Sequence, residues 1–171
     1  MFKKAFILFV ALYISATLGA QTAPKYGHMN LGNLLEMLPD TKKANDDLKI
    51  YADKFGVMDD SITKAFQAKV TLFQEDYQAG KLTPIKAQEM EAALQKEQAD
   101  IQKFEQDANQ KVTAKREELL KPILDRVDQA IRTVAKENGY LMIFDTSTGA
   151  MLFANETDDV TALVKAKLGV N

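Results

Sequence analysis

Residues 80–84 read Gly-Lys-Leu-Thr-Pro, and the apolar residues on either side of this segment are arranged symmetrically about it. Counting away in both directions brings apolar or small residues together in pairs whose numbers add up to about 163. The pairs are Phe73 with Met90, Val70 with Leu94, Ile62 with Ile101, Met58 with Phe104, Phe55 with Ala108, Tyr51 with Val112 and Ala44 with Leu119. Two antiparallel helices joined by a tight turn give this pattern. The sequence therefore predicts a helical hairpin over residues 41–121, with arms about 60 Å long at about 1.5 Å per residue.

The ends of both arms carry recognisable signals. Gly80 is suited to follow the first helix, because glycine adopts positive φ at little cost. Thr83-Pro84 offers a hydroxyl N-cap followed by proline at the first helical position. Asp40 is the predicted N-cap of the first arm. Pro122 lacks an amide hydrogen, so it should bend or break the second arm, which otherwise runs to about Asn138.

The residues outside the hairpin, 21–40 and 122–171, are predicted to form a small β-containing body. Its elements are strands near residues 26–31, 140–145 and 150–155, a turn at 146–149, and an end helix over 158–168. In the strand 140–145, alternation places Tyr140, Met142 and Phe144 on one face and Leu141 and Ile143 on the other. Both faces are apolar and both need cover, so a second copy of the chain is the simplest source. The predicted assembly residues are Met29, Leu31, Leu141, Ile143, Met151 and Phe153. The fold class is therefore α+β, mostly α, with a long hairpin on a body that oligomerises.

The first twenty residues resemble a secretory signal peptide, with Lys3-Lys4 followed by an apolar run and a small residue, Ala20, before the expected cut. Without those two lysines the mature chain has 20 basic and 24 acidic residues, a net charge of −4. This balance argues against binding to nucleic acid along a basic face.

The chain has no cysteine, which excludes disulfides, thiolate metal sites and cysteine nucleophiles. No second segment is long and apolar enough for stable membrane insertion once the signal is removed.

Residues that could perform catalysis are scarce. His28 is the single histidine, whereas metal sites and acid–base pairs usually need partners. The segment Asp145-Thr146-Ser147-Thr148-Gly149 invites comparison with the Asp-Thr-Gly loop of aspartic proteases, but it has two extra residues and occurs once. Its composition is also that of a turn. We therefore predict no catalytic residue, no metal and no cofactor.

The apolar stripe of the arms is rich in aromatic residues and methionine, which adapt to varied apolar surfaces. Most of these residues have an apolar mirror partner and are expected to hold the hairpin together. Phe66 is an exception, since its mirror partner is Glu97, and this mismatch should leave Phe66 partly available or the arm locally soft. The residues predicted to bind unfolded chains are Phe66, Phe73, Tyr77, Leu82 and Met90.

The order of these elements resembles the Skp (OmpH) family of periplasmic chaperones. The resemblance covers nearly the whole mature chain and is carried by three segments. These are Tyr-Gly-His-Met-Asn-Leu-Gly-Asn-Leu-Leu-Glu-Met-Leu-Pro-Asp at 26–40, Asn-Gly-Tyr-Leu-Met-Ile-Phe-Asp at 138–145 and Asp-Asp-Val-Thr-Ala-Leu-Val-Lys-Ala-Lys-Leu at 158–168.

The resemblance implies a periplasmic homotrimer in which three hairpins surround a cavity. Unfolded outer-membrane proteins would be held there without ATP. The best-known members are strongly basic, whereas this chain is mildly acidic, so no lipopolysaccharide site is carried over. The alternative interpretation is a structural coiled-coil spacer of the cell envelope, which would need straight, strictly heptad arms.

Overall fold

The computed structural model describes residues 23–170, and the predicted signal peptide at residues 1–20 lies outside the described residues. The elements are β1 (Lys25–Met29), α1 (Leu31–Met37), α2 (Pro39–Gln78), α3 (Pro84–Asn138), β2 (Tyr140–Asp145), a 3₁₀ turn (Glu156–Asp158) and α4 (Thr161–Leu168). Most of the described chain is helical, and α2 and α3 supply most of that helix. The predicted fold class, a long helical hairpin on a small β-containing body, is confirmed.

The turn between the arms follows the predicted chemistry. Gly80, just beyond α2, has a φ of 66°. Thr83 is the N-cap of α3, and its side chain accepts a hydrogen bond from Lys86 N at 3.3 Å. Gly139, with a φ of 70°, ends α3 after Asn138. These helix-end signals can be predicted without knowing the tertiary fold, because each one acts on backbone N–H or C=O groups within the same helix end.

Two expectations about the base of the arms need correction. Asp40 is not the N-cap of α2, because the helix starts one residue earlier, at Pro39, with Leu38 as its cap. Asp40 lies instead in the first turn, where its charge suits the helix dipole and where it pairs with Arg126 at 2.6 Å. Of the two outcomes expected at Pro122, a bend or a break, the break is wrong, since α3 runs without interruption from Pro84 to Asn138.

The body is organised around two parallel strands whose crossover connection is the entire hairpin. β1 pairs with β2 from Lys25↔Tyr140 to Met29↔Asp145. A register shift between Lys25 and Tyr26 leaves Leu141 as an extra residue in β2. Tyr140 and Ile143 therefore both pack against the core, although strict alternation placed them on opposite faces. The predicted two-face arrangement of β2 is wrong at this bulge.

The core lies where β1, α1, the base of the hairpin and α4 meet. Leu34, Val134, Val160 and Val164 are fully buried, with 0% exposure. The remaining core residues are Met29, Leu38, Ala44, Ile123, Val127 and Ala130. The hairpin beyond this core is different, because Ala87 is the only buried residue between positions 51 and 121, all of which the structure describes.

The predicted strand at residues 150–155 does not form against any segment of residues 23–170. The turn at 146–149 is present, with Gly149 N donating to Thr146 O at 3.3 Å, but the chain then leaves it without folding back onto β2. The end of this segment is fixed elsewhere, since His28 Nε2 donates to Asn155 O at 2.8 Å. Leu152 is consequently 97% exposed.

A substitution at Gly27 tests the packing of β1 against the core. It is buried in β1, and a Cβ there would lie 2.8 Å from Val160 Cγ1 and 3.1 Å from Tyr140 Cε1. Because Val160 is itself fully buried, Gly27→Ala should lower the free energy of unfolding by about 1–3 kcal/mol. Urea unfolding followed by circular dichroism at a fixed protein concentration measures this. The control Gly56→Ala adds a methyl group with nothing within 4 Å and should stabilise the chain by about 0.5–1 kcal/mol. Equal midpoints for both variants would contradict this account.

Candidate functional site

The two arms meet along an apolar seam whose register matches the mirror pairing. Phe55 on α2 lies against Phe104 on α3, with ring centroids 6.3 Å apart. Ala108 and Val112 line the same stretch of seam as Phe55. Tyr51 stacks edge-on against Phe55 at 5.2 Å, which continues the aromatic contacts toward the body. The predicted pairing of the arms is thus observed at its centre.

Two helices can cover each other on one side only, so the seam remains partly open. Phe66, Phe73 and Met90 on the arms and Leu82 in the turn between them are all half-buried. Tyr77 is 62% exposed and lies against Phe73, with ring centroids 5.9 Å apart. Four of the five residues predicted to bind unfolded chains are therefore half-buried, and Tyr77 is exposed.

An ion pair lies near the position where the mirror pairing matches the apolar Phe66 with the charged Glu97. Lys69 Nζ on α2 lies 2.7 and 2.9 Å from the two carboxylate oxygens of Glu97 on α3. Glu97 is half-buried, and its charge is therefore compensated across the seam.

The arms also expose apolar residues that lie off the predicted stripe. Ile50, Val57, Leu72 and Ile85 have exposures of 60%, 73%, 54% and 74%. Sequence reasoning missed them because it searched for the face that pairs the helices. Their signal is that large apolar residues occur at positions where the seam pattern calls for polar ones. Single exposed apolar residues are common, but their repetition along an arm provides several separate apolar contact sites on its surface.

The predicted assembly residues divide into two groups. Met29 is 2% exposed and lies in the chain's own core, and Leu31 and Ile143 pack against that core. Leu141 and Phe153 are 64% and 81% exposed, and Met151 is half-buried. Leu152, which the sequence did not single out, is the most exposed large apolar residue of the body.

A second apolar patch covers the face of the sheet turned away from the core. It comprises Tyr26, Met142 and Phe144, which are exposed by 45%, 52% and 42%. The rings of Tyr26 and Phe144 lie 6.4 Å apart on neighbouring strands. The sheet is therefore apolar on both sides, as predicted, although the residues on each side differ from those expected.

Asp145 has a structural task at the end of β2. Its Oδ1 accepts hydrogen bonds from Leu31 N at 3.1 Å and from Ser147 N at 2.9 Å, and its Oδ2 accepts from Ser147 Oγ at 2.7 Å. The carboxylate thereby joins the start of α1 to the turn after β2. Partial burial acts to raise the pKa of Asp145, but the hydrogen bonds from Ser147 and Leu31 outweigh it and lower the pKa below its ordinary value.

Two further properties of the described chain bear on function. No group of three or more potential metal ligands is found among residues 23–170. Over the same residues, no helix combines the length and hydrophobicity needed to cross a membrane.

Comparison with known proteins matches the chain over almost its full described length. A family model described as outer membrane protein (OmpH-like) matches residues 25–168. The chaperone protein Skp of Pectobacterium atrosepticum is 26% identical over 159 residues, which is 90% of this chain and 90% of that protein. The chaperone protein Skp of Photorhabdus luminescens is 28% identical over 161 residues, covering 91% and 90%. A crystal structure of an OmpH-like outer membrane chaperone from Caulobacter crescentus shares the fold, with a TM-score of 0.67, 16% identity and coverage of 87% and 86%.

The hydrogen bonds at Asp145 predict a pH-dependent contribution to stability. A carboxyl with a folded pKa below its unfolded value, about 3.9, stabilises the protein above that value and loses this effect as pH falls through the folded pKa. Asp145→Asn should therefore lower the free energy of unfolding by about 1 kcal/mol at pH 7. The difference from the unsubstituted chain should shrink below about pH 4.

Urea unfolding of both proteins between pH 3 and pH 7 checks this. Asp158→Asn, in the exposed 3₁₀ turn, is the matched control and should leave the free energy of unfolding at pH 7 unchanged. A difference at Asp145 that stays constant over this range would contradict the assigned role of its charge.

Proposed function

The chain belongs to the OmpH-like family, a family of chaperones and not of enzymes, and from that premise we propose that it is an ATP-independent holdase. Its clients would be unfolded outer-membrane proteins, which it would keep from aggregating in the periplasm. The relatives named above are called chaperone proteins, and the OmpH-like relative of known structure is called an outer membrane chaperone. Export by the predicted signal peptide, with cleavage near Ala20, is part of this proposal.

The observation that carries the proposal is the openness of the arms. Over residues 51–121 a continuous apolar seam is half-exposed, and Ala87 is its single buried residue. Exposed apolar residues such as Val57 and Ile85 extend this surface to the outer faces. Between them lie charged side chains that keep the arms soluble, many in pairs such as Lys49 with Asp53. A surface of this kind offers many weak apolar contacts and no single rigid pocket, which suits unfolded chains of varied sequence.

We also propose that the body assembles as a homotrimer. Residues 150–155 have the sequence of a strand but no partner strand among residues 23–170, and within that range β2 has a strand on one side only. Addition of this segment to β2 of a neighbouring copy would cover Leu152, Phe153 and Leu141 together. The contact would be head-to-tail, and a threefold rotation between copies would close it into a ring. The number three follows from the resemblance to the family.

The structural alternative, a coiled-coil spacer, is favoured by one observation. Helix α3 continues without a break through Pro122, which gives the second arm 55 residues of uninterrupted helix. A spacer would use this length alone and would leave unfolded proteins unbound.

Sedimentation distinguishes the two functions. We would dilute a urea-unfolded outer-membrane β-barrel protein into buffer with and without residues 21–171 and follow soluble species by analytical ultracentrifugation. A holdase should give a defined soluble complex in which the barrel protein remains unfolded. Aggregation at an unchanged rate in the presence of excess chain would reject the holdase and leave the spacer.

Leu152 tests the assembly surface without disturbing the chain's own core. Leu152→Asp places a charge in the proposed interface, and at 97% exposure it removes no intramolecular packing. The native mass should fall toward that of a single chain while helicity is retained. Ile143 is unsuitable for this purpose because it packs against the core. Ile85→Asp, at the far end of the arm and 74% exposed, is the control and should keep the assembly intact. A native mass unaffected by Leu152→Asp would rule out this interface.

A further inference from the structure

The exposed surface of α2 between Ile50 and Leu72 is apolar on one flank. An α-helix turns by about 100° per residue, so the direction of each side chain around the axis follows from its position. One sector of about 100° covers the back of the helix and one side of the seam. The residues in this sector are Ile50, Lys54, Val57, Met58, Ser61, Ala65, Ala68 and Leu72. All of them are exposed, and Lys54 is the single charged residue among them. We call this surface the α2 flank.

The corresponding sector on the other side of the seam is polar. It consists of Asp53, Gly56, Asp60, Lys64, Gln67 and Thr71, which are also exposed. The structure describes all of this sector, and no large apolar residue is exposed in it. The two sides of α2 are therefore both open to solvent but differ in chemistry. Large apolar side chains project from the α2 flank and from none of the positions opposite.

The α2 flank borders an apolar hollow between the arms. This hollow has a volume of about 250 Å³, and Leu72 lines it together with Met90 and Ala93 of α3. Lys69 and Glu97 also line it, and their 2.7 Å ion pair compensates both charges. An apolar side chain can therefore enter this hollow without desolvating an isolated charge. The flank thus has a recess beside its projecting side chains.

The hollow on the opposite side of the seam carries uncompensated negative charge. It has a volume of about 260 Å³ and is lined by Phe55 and Phe104, but also by Asp59 and Glu105. Among residues 23–170, neither carboxylate lies within ion-pair distance of a lysine or an arginine. An apolar side chain entering here would displace water from both carboxylates, which costs free energy. This side is consequently the less favourable one for apolar chains.

The spacing of the large flank residues favours an unfolded chain as the occupant. Val57 lies about 10 Å along the helix axis from Ile50, and Leu72 lies about 22 Å beyond Val57. The flank residues between Met58 and Leu72 are small, namely Ser61, Ala65 and Ala68. A partner helix packs through large residues in successive turns, which this stretch lacks. A flexible chain can instead reach separate apolar points with separate side chains.

We propose that an unfolded outer-membrane β-barrel protein is held on the α2 flank and not on the opposite side of α2. The inference rests on the proposed holdase function and assigns that function to one side of the arm. Strands of membrane β-barrels alternate apolar and polar residues. While such a client is unfolded, its apolar side chains contact the large flank residues and the hollow beside Leu72.

Two double variants test which side of α2 binds the client. Val57→Glu with Leu72→Glu removes two apolar contacts from the flank and adds two negative charges. Both residues are more than half exposed and glutamate is a good helix former, so the arm should keep its helicity. Gln67→Glu with Gln74→Glu adds the same charge on the opposite side and is the matched control.

The measurement is the fluorescence anisotropy of a labelled, urea-unfolded β-barrel protein diluted into each form of residues 21–171. Binding should weaken at least about tenfold in the flank variant, because it loses two apolar contacts and gains charge at both positions. The control should change the affinity less than about twofold. Equal affinities of the two double variants would overturn the inference.

A photo-crosslinking residue locates the client directly. p-Benzoylphenylalanine at position 61 replaces Ser61 in the centre of the flank, and at position 67 it replaces Gln67 on the opposite side. Neither substitution removes a large apolar side chain. Crosslinking to the client should be several-fold stronger from position 61, and equal crosslinking from both positions would contradict the assignment.

These outcomes are distinct from a failure of the proposed function. If the unsubstituted chain keeps the barrel protein soluble but both double variants bind it equally well, the holdase stands and the flank is rejected. If the unsubstituted chain forms no complex and the barrel protein aggregates at an unchanged rate, the holdase is rejected and the flank with it. If the native mass without client falls in the flank variant alone, the flank is a contact between copies, which also overturns the inference.

Discussion

The central constraint on this structure is that two helices packed side by side can bury only the line along which they touch. Each arm contributes a stripe of large apolar residues, and a third helix or a sheet would be needed to enclose the stripes completely. Near the body that cover exists, and Ala44 and Ile123 are buried there. Farther out it does not, and residues such as Phe66 and Phe73 remain half-exposed. The arms hold their shape while keeping much of their apolar surface in contact with water.

The body, in contrast to the arms, buries its apolar residues completely in one small core. Val127 and Val134 of α3, Val160, and Val164 of α4 come together with at most 1% exposure. Polar clamps fix the segments that carry no regular structure, and Asp145 and His28 are the clearest examples. A firm base and loosely covered arms are what a holdase of the proposed kind needs. The base sets the position of the arms, whereas the arms make many exchangeable contacts.

The sequence allowed the hairpin to be predicted almost completely, because its determinants are local or periodic. Gly80 and Thr83 act through backbone groups within one turn, and the mirror pairs repeat the same spacing many times. The bulge at Leu141 could not be predicted, since it depends on which residue of β1 lies opposite. The segment at 150–155 was wrongly predicted to pair within its own chain. Strand propensity indicates that a segment can adopt an extended conformation, but not whether a partner strand lies within reach. At the candidate site, Tyr77 was one of five residues predicted to bind unfolded chains, but its exposure was not predicted. The exposed apolar residues off the seam, such as Val57 and Ile85, were missed because the sequence pattern was searched for the face that pairs the helices.

The parallel pairing of β1 and β2 has a consequence for how the molecule is made. Leu31 and Asp145, which clamp the two strand ends together, are 114 residues apart in the chain. During synthesis β1 emerges first and has no partner until both arms have followed it. Pairing over such a distance must pay a large loop-closure entropy, and preformed helices in the hairpin reduce that cost by bringing the chain back to its start. The arms therefore act as a folding template for the body, and until they meet, this chain is itself an unfolded polypeptide with an unpaired apolar strand.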